Sequence, residues 1–307
     1  MSTSIQYQLN NGLIGILPIK QLLNAEGKSL ETRVSLLGKM QSDKVKERYL
    51  KGKCDYRIER IGGRPCVIAK KINGQTQRAI LMFFGGGFIL SPDEKDYDNL
   101  VDYANATNSE IWFPLYPLAP RFSMRGMIES LMAVYRTMLE TWPAQQILFM
   151  GNSSGAASCL YICMYIKENR LELPYPAHLI MISPGLCIPP TAEQIDRMKK
   201  KEKTDHLIPI KFCRGIKDIL MRGSPELNYL ADTLSYDWTN FPSMDVFYGT
   251  AEIFSAYTPD LIQHAKDCAI DLEMHLGQDM MHCWPQVRTP EGLRARQEIK
   301  DIIKRCR

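Results

Sequence analysis

The chain has 307 residues, 45% hydrophobic and 23% charged, with a formal net charge of +4. That is the profile of an ordinary globular chain with room for one large α/β domain and an accessory piece. So small a charge gives no nucleic-acid footprint, and the one dense basic run, Lys199-Lys200-Lys201 with Lys203, reads as a solvated helix face or loop.

Nine cysteines are an odd count, with no CxxC pair and no Cys/His cluster at zinc spacing. Scattered free thiols fit a reducing, cytoplasmic setting. Cys159 and Cys163, four apart, read as helix core packing. Met1 to Gln6 lacks the charged start of a signal peptide. Leu13 to Leu23 is apolar but too short for a bilayer and contains Pro18 and Lys20, so no membrane anchor is expected.

Residues 1 to about 50 read as helical, with Leu30, Val34, Leu37 and Met40 at helical spacing. The period then changes. Asp55 to Ile61 alternates like a strand, Gly62-Gly63-Arg64-Pro65 is a turn, and Cys66 to Ala69 is a second strand, together an antiparallel hairpin. Continuously apolar runs follow at 79–84 and 111–116, then a helix over about 124–141. Gln146 to Met150 is a buried strand and Ala156 to Ile162 the start of a helix. Further strands fall at 178–183, 244–248 and 272–276, with helices near 256–269 and 290–305. Apolar runs alternating with helices predict a mostly parallel sheet covered on both faces. The polar, helical stretch 186–240 interrupts the alternation, and an insertion at the C-terminal edge of such a sheet overlies the ligand crevice. With the N-terminal helices it would form a lid.

Between the strand at 146–150 and the helix after it stands Gly151-Asn152-Ser153-Ser154-Gly155, a G-x-S-x-G motif. Strand, tight turn and helix is the setting in which the central serine is forced outward as a nucleophile. The rival reading is a Gly/Ser loop with Ser153 or Ser154 as an N-cap. Acyl transfer through serine also needs a base, an acid to orient it, and donors for the oxyanion. Of the five histidines, His178 and His275 fall in strands, His264 in a helix and His206 in the insertion. His282 falls in a loop directly after the last strand and is the candidate base. The loop after the preceding strand, Tyr248-Gly249-Thr250-Ala251-Glu252, offers Glu252 as the acid, with Asp279 as competitor. Gly85-Gly86-Gly87 directly follows the strand at 79–84, where bare backbone N–H groups can approach a substrate oxygen. It lacks the Lys-Ser/Thr continuation of a phosphate loop.

Taken in order, these motifs resemble the hormone-sensitive-lipase-like branch of the α/β-hydrolase esterases. The family's HGGG, GDSAGG, G-x-x-D/E and G-M-x-H elements read here Phe84-Gly85-Gly86-Gly87, Gly151-Asn152-Ser153-Ser154-Gly155-Ala156, Gly249-Thr250-Ala251-Glu252 and Asp279-Met280-Met281-His282. Tyr116-Pro117-Leu118-Ala119-Pro120 is similar to its Y-R-L-A-P segment. The resemblance runs from about residue 50 to the end. It implies an α/β-hydrolase core at 51–185 and 241–307, with a helical cap from 1–50 and 186–240. It implies Ser153 as nucleophile, His282 as general base and then acid, and Glu252 as its orienter. Gly86, Gly87 and the Ser154 N–H would form the oxyanion hole.

Three positions depart from the family: Phe84 stands for its His, Asn152 for its acidic residue, and Glu252 where Asp is commoner. The implied function is a serine carboxylesterase acting on small or medium acyl esters through an acyl-enzyme. It would need no metal or organic cofactor. A deacetylase or amidase on a carbohydrate or peptide, and a ligand-binding protein without turnover, are the alternatives. The expected partner is a small-molecule ester, with the assembly open between monomer and homodimer.

Overall fold

The computed structural model describes residues 3–16 and 19–306. The parts of the N-terminal helical reading on residues 1–2 and 17–18, Pro18 included, and residue 307 of the expected core lie outside them. Three N-terminal helices come first: α1 (Ile5–Ile16), α2 (Ile19–Leu23) and α3 (Gly27–Gly38). Leu30, Val34 and Leu37 are buried on α3 as their spacing predicts, but the helix stops at Gly38 and leaves Met40 exposed. The chain then enters β1 (Asp55–Ile61), β2 (Arg64–Lys70) and β3 (Arg78–Phe83).

Helix α4 (Glu94–Thr107), which the sequence reading does not contain, precedes β4 (Ser109–Pro114). It starts at a capping box in which the Asp93 side chain accepts from Lys95 and Asp96 N–H while Asp96 accepts from Asp93 N–H. Helix α5 (Met124–Leu139), β5 (Ile147–Asn152), α6 (Ser154–Glu168) and β6 (His178–Ile182) follow. The 186–240 stretch holds α7 (Ala192–Lys199), α8 (Ile210–Leu220) and two short 3-10 turns. Then come β7 (Ser243–Gly249), a 3-10 turn at Ile253–Tyr257, α9 (Thr258–Asp267), β8 (Leu272–Gly277) and α10 (Pro290–Arg305).

All eight strands form one sheet in the order β1-β2-β4-β3-β5-β6-β7-β8. β1, β2 and β4 pair antiparallel, and β4 to β8 run parallel. The central strands β4, β5 and β6 are buried at every position because helices cover both faces, whereas the edge strand β8 alternates with solvent. This is an α/β-hydrolase fold. After β3 the chain passes to β4 on one side and returns to β5 on the other, so the strand order reverses between β3 and β5. Two loops leave the carboxyl ends of those neighbouring strands in opposite directions and open a crevice there. The glycine loop and the G-x-S-x-G turn both sit at that point.

The nine cysteines are free, and Cys159 and Cys163 are buried core. Among the described residues no helix is long and apolar enough to cross a membrane. Away from the crevice, buried Asp245 on β7 joins two histidines: its Oδ2 faces His178 Nε2 at 2.6 Å and its Oδ1 faces His275 Nε2 at 2.6 Å. Burial opposes the Asp245 charge, but the paired imidazoles hold its carboxyl well below the usual carboxylate range. Burial likewise opposes the His275 charge, and Asp245 and Glu298 raise it above the usual histidine value.

A depressed carboxylate contributes stability above its unfolded pKa and loses it in acid. A raised histidine contributes stability below its unfolded pKa of about 6.5 and loses it as pH rises through the folded value. Asp245→Ala, which removes the carboxylate facing both Nε2 atoms and leaves His275 only Glu298 at Nδ1, should therefore cost about 3 kcal/mol near pH 6. In urea denaturation the gap to the parent should narrow both in strong acid and in alkali.

Candidate active site

The turn after β5 is built around one strained residue. Ser153 has φ 53° and ψ −121°, a region that residues with a Cβ avoid. Its N–H donates to the Ile182 carbonyl at 2.7 Å, which pins the turn to the end of β6. The flanking glycines are steric necessities. A Cβ on Gly151 would strike the Gly155 backbone, and one on Gly155 would strike the Phe83 and Phe84 carbonyls. With those side chains absent, the turn closes and Ser153 Oγ stands at the end of the sheet. Ser153 is the residue before α6 but caps nothing with its side chain, so the N-cap reading does not hold.

Three loops from the carboxyl ends of β5, β7 and β8 bring the predicted residues together. His282 Nε2 lies 2.9 Å from Ser153 Oγ, and His282 Nδ1 lies 2.5 Å from Glu252 Oε2. The hydrogen-bond network assigns the proton to Nδ1, which donates to the carboxylate and leaves Nε2 to accept from the serine. Glu252 is fully buried, and its second oxygen accepts from Gly249 N–H and from the Ser183 hydroxyl, both at 2.7 Å. The 3-10 turn at Ile253–Tyr257 begins directly after Glu252. Asp279 does not compete: it is exposed, at φ 57°, and bonds to Gln278 beside it. The other histidines have different partners, His264 Nε2 facing the Tyr236 carbonyl and His206 packing beside Gly15.

Burial opposes the imidazolium of His282. The Cys283 sulfur and the Glu252 carboxylate outweigh it and hold His282 well above the usual histidine value.

The glycine loop takes left-handed backbone at Gly86 (φ 107°), Gly87 (φ 63°) and Phe88 (φ 62°). Phe88 N–H donates to Ser154 Oγ at 3.2 Å, tying the loop to the first turn of α6. The N–H groups of Gly86, Gly87 and Ser154 have no acceptor among the described residues. Phe84 is buried and stacks on Tyr116, ring centroids 4.1 Å apart and planes 11° apart. The Tyr116 hydroxyl donates to the Phe84 carbonyl at 2.5 Å. Burial pushes that phenol well above its usual value, so it stays a donor. A stacked ring and a tyrosine thus hold the loop where the family uses a histidine.

A cavity of about 420 Å³ opens over Ser153 and His282. Its lining includes Phe88, Tyr161 and Phe254, together with apolar side chains from α1 and α2 and from 186–220, such as Ile14, Leu23 and Phe212. Segment 186–240 is coupled to the acid loop by Asp205, fully buried, whose carboxylate accepts from Leu207, Ile208 and Ile253 N–H at 2.8–3.0 Å.

Several supporting groups were not found from the sequence. Ser183, at φ 51°, donates to Glu252 and accepts from Cys283 N–H at 3.0 Å, so one hydroxyl spans the acid and histidine loops. Tyr7 on α1 accepts from Met281 N–H at 2.5 Å and donates to the Asp279 carbonyl at 3.2 Å, clamping the histidine loop from 272 residues away or more. No local spacing signals such partners.

The family is now decided by sequence as well as geometry. A family model described as the alpha/beta hydrolase fold matches residues 80–286. The chain belongs to that family. An esterase from the bacterial hormone-sensitive lipase family superposes with a TM-score of 0.80 at 19% identity, covering 100% of this chain and 99% of that one. A hormone-sensitive lipase from a metagenome library gives 0.79 at 20% identity, covering 99% of each. Versiconal hemiacetal acetate esterase of Emericella nidulans is 24% identical over 111 residues, which is 36% of this chain and 39% of that enzyme. This α/β-hydrolase chain therefore aligns with well under half the length of that curated relative.

Tyr7→Phe keeps the ring and removes the hydroxyl, leaving Met281 N–H buried without an acceptor. It should lower unfolding free energy by about 1–3 kcal/mol, measured by urea denaturation. A variant as stable as the parent would show that the clamp carries no load.

Proposed function

We propose that the protein is a serine carboxylesterase of small to medium acyl esters that works through an acyl-enzyme. One observation carries the reading: the unbroken path from Ser153 Oγ through His282 to Glu252, at 2.9 and 2.5 Å, at the floor of an apolar cavity. Ser153 Oγ attacks the ester carbonyl while His282 Nε2 takes its proton. The imidazolium so formed is stabilised by the Glu252 carboxylate. The carbonyl oxygen, now negative, is received by the N–H groups of Gly86, Gly87 and Ser154. His282 then hands its proton to the departing alcohol, leaving an ester on Ser153. Water, deprotonated by His282, attacks that ester, and His282 returns the proton to Ser153 Oγ as the acid departs. Every proton and charge is handled by the chain's own groups.

The apolar lining favours esters whose acyl or alcohol part is hydrocarbon. The esterases among the structural neighbours agree with this reading. A protein that only binds its ligand would have no use for a strained serine paired to a buried His–Glu couple, which favours turnover over the binding alternative.

The test is hydrolysis of p-nitrophenyl esters from acetate upward. Turnover should be abolished in Ser153→Ala, and activity that survives would show that another group does the chemistry. Glu252→Gln should lower kcat by roughly 1,000- to 10,000-fold, because the amide cannot hold the imidazole in the same tautomer and charge. The base must be neutral to act, so kcat/KM should rise with pH. Since His282 is held above the usual histidine value, that rise should lie on the alkaline side of about 6.5. A rise centred below that value would contradict the electrostatic account.

A further inference from the structure

We propose that Asp96 is a specificity-determining residue whose carboxyl receives a hydroxyl group on the acyl or the alcohol part of the ester, so that the substrates are hydroxylated esters. The inference rests on the esterase reading and deepens it. The cavity over Ser153 is walled largely by apolar side chains, and a pocket of that kind takes its specificity from the few polar groups placed in it. Most of its polar side chains outside the triad and the oxyanion hole gather at one place. Ser91, Asp93, Lys95 and Asp96 lie between the glycine loop and the first turn of α4, and Gln286 comes from the 3-10 turn at Trp284–Gln286 that packs on α4.

All of these but Asp96 are engaged or open to water. Ser91 Oγ donates to the Ser42 carbonyl at 3.1 Å. Asp93 Oδ1 caps α4, accepting from Lys95 and Asp96 N–H at 2.8 and 3.3 Å. Lys95 is exposed, and the Gln286 amide is paired with that of Asn152. Asp96 differs. It is 8% exposed, and its Oδ2 accepts from Asp93 N–H at 2.9 Å. No described residue makes a hydrogen bond or an ion pair to its Oδ1, and the residue lines the cavity.

A carboxyl held out of water with one oxygen unsatisfied is costly, and the helix cap uses only the other oxygen. Lys46 does not pair with it, because its Nζ donates to the Pro92 carbonyl at 2.7 Å. The missing partner is a donor that arrives with the substrate. A hydroxyl suits this group better than an ammonium does. Burial and the Asp93 carboxylate push Asp96 up to about 7, so near neutrality it is part carboxylate and part acid. A hydroxyl donates to the first and accepts from the second, whereas an ammonium can only donate. The remaining wall, from α1, α2 and 186–220, is apolar, so one part of the ester can be hydrocarbon while the other carries the hydroxyl.

The experiment measures kcat/KM on two matched pairs of esters. Methyl 3-hydroxybutyrate against methyl butyrate places the hydroxyl on the acyl part, and glyceryl monobutyrate against propyl butyrate places it on the alcohol. In the parent, the hydroxylated member of at least one pair should be preferred by about ten- to a hundredfold, the usual worth of a hydrogen bond to a charged group. The pair that responds assigns the hydroxyl to its part of the ester. In Asp96→Ala that preference should fall to about one, because the group that received the hydroxyl is gone.

Equal kcat/KM within both pairs, or a preference that survives in Asp96→Ala, would overturn the proposal and leave Asp96 as part of the α4 cap alone. Calorimetric titration of Ser153→Ala with the same esters needs neither turnover nor a change at Asp96. It should show the same preference in Kd, and equal affinities within both pairs would overturn the proposal. A parent that hydrolyses none of these esters, while Ser153→Ala prefers a hydroxylated one, would refute the esterase reading alone.

Discussion

The site depends on one backbone conformation, the positive φ of Ser153. Such a residue costs about 1–3 kcal/mol and persists only where its surroundings leave no alternative. Here the constraints come from three sides: the two glycines that let helix α6 press against β3 and β5, the bond from Ser153 N–H to Ile182, and the bond from Phe88 N–H to Ser154 Oγ. If the turn relaxed to ordinary helical or extended backbone, the hydroxyl would leave the crevice and the histidine would have nothing to face. The strain is offset by the buried α6, which is covered along nearly its whole length.

A second constraint is the buried charge of Glu252. A carboxylate removed from water is costly unless every oxygen has a donor. Glu252 has Gly249 N–H and Ser183 Oγ on one oxygen and the His282 ring on the other. These partners come from the β6, β7 and β8 loops, so satisfying one charge fixes three loops against each other. The longer glutamate side chain fits because its second oxygen reaches back to the N–H at the end of its own strand. Tyr7 and Asp205 extend the network outward, tying the histidine loop to α1 and the acid loop to the 186–240 segment.

Much of this was legible in the sequence, because strands buried on both faces write continuous apolar runs and the G-x-S-x-G glycines write the turn. The runs at 79–84, 146–150, 178–183, 244–248 and 272–276 each correspond to a strand, and the histidine and acid candidates follow from their place after β8 and β7. Helix α4 was missed although Tyr97, Leu100, Val101 and Ala104 have helical spacing, because its many charges mask the apolar stripe. Met40 fits the α3 period but lies beyond the helix end. Ser183, Tyr7, Asp205 and the Asn152–Gln286 pair could not be read, since their partners are set by tertiary approach and not by interval. Phe84 reads as a departure in the sequence, while its compensation by Tyr116 appears only when the two rings are seen stacked.

The central claim is that Ser153 is the one nucleophile of the crevice. It is tested most directly by treating the native protein with a fluorophosphonate and locating the adduct by peptide mass spectrometry. A single phosphonyl group on Ser153, absent when Glu252 or His282 is replaced, is the result this account predicts. Labelling of another residue, such as Cys283 or Ser154, with Ser153 left unmodified would contradict it.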